Sequence, residues 1–203
     1  MRYEWIGGFS REEKGTTTVE FVAISGFFFV IAFMIIEIAL AIFWWQTAEV
    51  AAQIGARYAV VWDPVTTSVS SAGVNGLNAA GIYGQSCNIS QGANDPCAAF
   101  ATAICDGSSG AGCNTVAFNA VLAKMQAVFG ALRASNVKIT YSYVGLGFAG
   151  GPIVPAVTVT ISNVPFVSGF ADLLGAFFGP SPLTTVPAMS VTLTGEDLSS
   201  AGV

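Results

Sequence analysis

Gly15-Thr-Thr-Thr-Val-Glu20-Phe21 is the stretch whose residue types and spacing carry chemistry. A charged leader, Arg11-Glu-Glu-Lys14, ends on this small residue, and Val22 to Ile36 then runs without a charge. A secretory signal is cut beyond its apolar stretch, whereas here the small residue and the charges lie before it. Hydrolysis between Gly15 and Thr16 would leave a new N-terminus directly on an apolar helix. That arrangement suits a subunit extracted from a membrane and stacked. The same cut turns the Thr16 nitrogen from an uncharged amide into an ammonium. In staggered helices the Glu20 carboxylate of one subunit can then pair with the Thr16 amine of its neighbour, and breaking such a buried pair costs about 3–5 kcal/mol. Glu20 also stands where the span begins, at headgroup level, so it escapes most of the roughly 2.5–3.5 kcal/mol that a carboxylate costs at the bilayer centre. Glu37 lies within the apolar run. It faces a neighbouring helix or polar group, or it snorkels to the outer interface.

Other chemistry is thin. The chain has no histidine, which removes Ser-His-Asp and Cys-His catalysis, histidine metal sites and histidine pH switching together. Asp95, Asp106 and Asp172 are the carboxylates a secreted hydrolase would use, but no pair has a diagnostic spacing. The expectation is a protein that is not an enzyme and needs no metal or cofactor. Net charge is −5, and Arg2, Arg11, Lys14, Arg57, Lys124, Arg133 and Lys138 are too scattered to form the basic face that nucleic acid requires. Only 9% of residues are charged, against about 25% in ordinary globular domains, which points to many neighbours or an extracellular setting.

The element that must position Glu20 is a helix. Phe21 to Trp45 holds 25 residues with Glu37 its single charge. As a helix it measures about 37 Å, enough to cross a bilayer with some tilt. Arg2, Arg11 and Lys14 precede it and the next basic residue is Arg57, so the positive-inside bias puts the N-terminus in the cytoplasm. Trp44 and Trp45 stand at the far end, where interfacial aromatics belong. Gln46, Glu49, Gln53 and Arg57 continue the helical period as one polar stripe, predicting one helix from about Thr18 to Val61, ended by Asp63-Pro64.

Beyond it, Thr66 to Gly92 reads as loop with a short helix near Val74 to Ile82. Asp95-Pro96 is read as opening a helix from Cys97 to Cys105, and Asn114 as capping a longer one that ends near Ser135. The apolar side of that longer helix is read as Val116, Asn119/Ala120, Ala123, Ala127, Val128, Ala131 and Leu132. Three alternating strands follow, with Val137, Ile139, Tyr141 and Tyr143, then Val157, Val159 and Ile161, then Met189, Val191 and Leu193 on the apolar face. Pro165 to Phe178 is expected to be a short helix or interfacial loop. The fold class is therefore α+β, with the outer half of the long helix packed on a small antiparallel sheet. The four cysteines, spaced 10, 8 and 8 apart, do not fit a zinc site and suit disulfides in an oxidising compartment. With Cys97 and Cys105 at the two ends of a helix they would stand about 12 Å apart, too far to bridge. Of the two pairings left, Cys87–Cys97 with Cys105–Cys113 is favoured, because each closes a short glycine-bearing loop.

Gly15-Thr-Thr-Thr-Val-Glu20-Phe21 before an apolar helix resembles the processing site of type IV pilin-like proteins. The Glu20-Phe21 pair, Ile36-Glu37 within the span and Ala56-Arg57-Tyr58-Ala59-Val60 at the helix end are similar to the TadE-like pseudopilins of tight-adherence (Tad) pilus systems. The resemblance is specific from Gly15 to Val60 and architectural beyond. It implies a leader of residues 1–15 removed by a prepilin peptidase and a transmembrane and assembly helix over 16–45. An extracytoplasmic domain over 46–203 follows, its first residues, 46–62, continuing the helix. It further implies a single pass through the bacterial inner membrane, other pilin subunits and the Tad assembly machinery as partners, and a minor role in a Flp-type pilus that serves surface attachment. Thr16 departs from the bulky apolar first residue of type IVa pilins. The rival readings are an uncleaved signal-anchored envelope protein whose outer domain binds a ligand or partner, and a secretory signal cut at Ala39-Leu-Ala41.

Overall fold

The computed structural model describes residues 16–69, 82–88, 96–97, 99–150, 153–166, 185–195 and 198. The leader with Gly15, Asp95, Asp172, the greater part of the helix expected near Val74 and nearly all of the apolar segment after Pro165 lie outside these residues. The architecture is α+β: a long apolar N-terminal helix and a small antiparallel sheet. Helix α1 spans Thr16–Val61, 46 residues, and Asp63-Pro64 follows its end. The chain divides into two compact units, one containing Met1–Ile42 and Val167–Pro182, the other Phe43–Phe166 and Leu183–Val203.

In the second unit, strands β1 (Ala103–Asp106), β2 (Val137–Gly147), β3 (Ile153–Ile161) and β4 (Met189–Thr194) form a sheet in chain order. Every neighbouring pair is antiparallel. The alternation seen in the sequence sets the faces: Val137, Ile139, Tyr141, Val157, Val159 and Ile161 are buried, while Thr158 bonds Thr192 on the opposite face. The ladder between β2 and β3 is interrupted between Ser142 and Leu146, where Gly145 takes a positive φ of 72°. Pro155 stands opposite that irregularity, a place where a strand tolerates a residue without an N–H.

β1 replaces an expected helix. The run from Cys97 to Cys105 has helical composition, but Ile104 and Cys105 pair with Thr140 and Ile139 of β2, and the tertiary ladder overrides the local preference. Helix α2 (Thr115–Gln126) is capped as expected, the Asn114 side chain accepting from the Ala117 N–H at 3.4 Å. Its buried face differs from the expected one. Ala117, Phe118, Val121, Leu122 and Met125 point inward, while Val116 is 80% exposed. The expected stripe was mostly alanine, and burial favours the larger apolar areas of Phe118, Leu122 and Met125. α2 also stops earlier than Ser135; the Val128 and Phe129 N–H groups close back on the Met125 carbonyl, and Gln126 Nε2 donates to the Leu132 carbonyl at 2.9 Å.

The outer half of α1 enters this core through a seam of small residues. Ala48, Ala51, Ala52, Ala56 and Ala59 are fully buried. A methyl group on Gly55 would stand 2.6 Å from Met125 Sδ, so the Met125 side chain occupies the space that a larger residue at 55 would fill. α2 runs antiparallel to α1: the Asn114 N–H reaches the Val65 carbonyl, Lys124 Nζ lies 5.2 Å from the Tyr58 ring centre, Met125 meets Gly55, and Phe129 meets Trp44. The sheet is tied to the end of α1 by Tyr141, whose hydroxyl donates to the Ala59 carbonyl and accepts from the Val65 N–H, each at 3.2 Å. Gln46, Glu49, Gln53 and Arg57 are exposed on the opposite side. The four-residue spacings Glu49–Gln53 and Gln53–Arg57 would allow polar contacts along the stripe, but no hydrogen bond or ion pair joins these side chains among the described residues, so it is a solvated face.

Candidate functional site

α1 carries the candidate site at its start. Thr16 is its first residue, and Glu20 and Phe21 follow one turn later, both exposed. The first turn holds no acidic residue. Glu20 stands four residues beyond Thr16, past the positions where a carboxylate caps the free N–H groups of its own helix. Its charge is thus directed outward, about 6 Å along the axis from the first residue.

Further along the helix, past Ser25, the surface is apolar on every side. Phe27, Phe28, Phe29 and Val30 are 69, 65, 56 and 36% exposed, and four consecutive residues at about 100° per step encircle a helix. Such a surface needs lipid or other helices around it. Ser25 Oγ donates to the Val22 carbonyl at 3.0 Å and Thr47 Oγ1 to the Phe43 carbonyl at 2.7 Å. These hydroxyls are satisfied within the helix, as an apolar setting demands. Glu37 is half-buried. By length and composition α1 can cross a membrane, and it is consistent with a single-pass anchor.

The four cysteines form Cys87–Cys97 and Cys105–Cys113. The helix that would have kept Cys97 and Cys105 apart is absent, so the premise of that elimination fails although the pairs are the same. Asp106 accepts from the N–H and hydroxyl of Ser108, and these bonds hold its carboxyl below the ordinary aspartate value. That is a turn, not a catalytic pair. Among the described residues no group of His, Cys, Asp and Glu has the arrangement of a metal site. A cavity of about 580 Å³ lies between the end of α1 and the start of α2, lined by Asp63, Thr66, Thr67, Cys113, Asn114 and Thr115 among others. The Thr66 hydroxyl is buried there without a hydrogen-bond partner.

Two arrangements were hidden in the sequence. Trp44 stacks edge-on against both Phe129, at 5.5 Å, and Phe166, at 5.7 Å. Tyr141 joins helix and sheet through its hydroxyl. The tryptophan was visible as an interfacial residue and the tyrosine as a core one, but partners so distant in sequence leave no local signal.

The family model described as TadE-like protein matches residues 15–57, from Gly15 through the polar stripe at Arg57. No curated protein matches the chain, and no solved structure does.

Proposed function

We propose that the chain is a non-enzymatic pseudopilin of a Tad system, cleaved after Gly15 by a prepilin peptidase. The mature chain, beginning at Thr16, is held in the inner membrane with its N-terminus inside, and is then assembled as a minor subunit or assembly factor of a Flp-type pilus. The observation that carries this reading is that the TadE-like match begins at Gly15 and runs along helix α1, on which Glu20 is exposed. Cleavage supplies the ammonium that such a carboxylate needs from a neighbour. The family match supports association with a Tad pilus, and the apolar surface on every side of α1 around Phe27 to Val30 supports assembly among helices.

Intact mass of the protein from its native host, with and without the prepilin peptidase, tests this. A chain beginning at Thr16 only when the peptidase is present is the expected result. A chain beginning at Met1 in both strains would instead favour the uncleaved anchor, and one beginning at Ile42 the secretory signal.

A further inference from the structure

Trp44 lies at the end of the apolar run of α1 and is gripped by two loops from elsewhere in the chain. Its ring meets Phe129, in the loop after α2, at 5.5 Å and 87°, and Phe166, after β3, at 5.7 Å and 89°. Both loops therefore stand at the level of Trp44 along the helix axis. Apolar side chains are exposed at this level: Phe43 by 62%, Trp45 by 47% and Val128 by 38%. The loop itself carries no charge between Lys124 and Arg133. Its backbone closes on itself through the Val128 and Phe129 N–H bonds to Met125 and the Leu132 N–H bond to Phe129. A segment entering the boundary of a bilayer needs that satisfaction.

The length of the apolar run locates the boundary. Counted from Phe21, Trp44 falls about 34 Å along the helix, just past a hydrocarbon core of about 30 Å. Indole rings favour this zone, where an apolar body and a polar N–H are both accommodated. We infer that the neutral loop carrying Val128, together with Trp45, rests on the phospholipid surface and forms a second membrane contact beside the span. This rests on the reading of α1 as a membrane helix. The continuity of Trp45 with the apolar run selects lipid as the occupant. Exposure alone would not, because Val116 at the other end of α2 is 80% exposed. Val116 lies beside Asn114, whose N–H bonds Val65 beyond the end of α1, so the antiparallel course of α2 holds it on the order of 18 Å further out than Val128.

The test is photocrosslinking of the full chain, reconstituted alone in phosphatidylethanolamine–phosphatidylglycerol vesicles. A diazirine-bearing residue replaces Ile35, Val116 or Val128 in turn, and intact mass reads both the adduct and the two disulfides that report folding. Phospholipid adducts at positions 35 and 128, with none at 116, are expected. An adduct at 35 without one at 128 overturns the surface contact and leaves the span standing. No adduct at 35 removes both. Equal labelling at 116 and 128 defeats the depth argument, and protein–protein adducts at 128 would make the loop a subunit contact instead.

Discussion

Glu20 and Tyr141 are the two residues whose polar atoms have most to lose. In the proposed assembly the partner of Glu20 is a neighbouring subunit, so its removal should leave folding and cleavage alone and weaken assembly. Glu20→Ala is expected to give a normally processed protein, beginning at Thr16, that is depleted from sheared pili relative to membranes. Immunoblots of the two fractions measure this, and normal incorporation would take Glu20 out of the mechanism. Tyr141 is fully buried, and burial pushes its phenol from 10.0 up to about 12. The native state thus holds this proton more tightly than the unfolded chain. Its stabilising effect is complete below pH 10 and is lost as pH rises toward 12, a difference of about 2–3 kcal/mol. Tyr141→Phe should remove that alkaline component. At neutral pH it should also cost about 1–3 kcal/mol, because the Ala59 carbonyl and Val65 N–H lose their partner. Thermal melts of the full chain in detergent at several pH values read both effects.

Among the elements, the seam between α1 and α2 is set by absence of bulk. Gly55→Val should destabilise the chain by about 1–3 kcal/mol through its clash with buried Met125. Met125→Ala alone should cost about 2–5 kcal/mol as a cavity. Because the added branch fills the vacated space, the double variant should be more stable than the sum of the two losses predicts, a coupling that denaturant unfolding can resolve. Legibility followed the strength of periodic signals. α1 was readable because its apolar run and polar stripe are long, and β2 and β3 because Val137, Ile139, Tyr141, Val157, Val159 and Ile161 alternate without a break. α2 was readable as a helix but not in its orientation, since alanines are spread around its surface and only size decides which side is buried. β1 was not readable at all. Its residues look helical in isolation and become a strand only because β2 offers an edge. At the candidate site, Gly15, Glu20 and Phe21 stand out as a local spacing alone, of which the described residues include Glu20 and Phe21, whereas the grip of Phe129 and Phe166 on Trp44 exists only after folding.

At the scale of the whole molecule, a charge-poor chain draws part of its stability from two short covalent loops. Cys87–Cys97 and Cys105–Cys113 close separations of 10 and 8 residues, each stabilising by about 2–3 kcal/mol. Reduction under non-denaturing conditions should therefore lower the melting temperature, with a smaller drop in each single Cys-pair-to-Ser variant, and differential scanning calorimetry would show it. The sheet adds a consequence for biosynthesis. Its strands lie side by side in the order in which they are translated, and each disulfide joins cysteines made within moments of each other. A chain emerging N-terminus first can thus lay each strand on the one already present. Only the last arrival, β4, completes the surface, so a ribosome stalled after β3 would leave most of the fold in place and one sheet edge waiting.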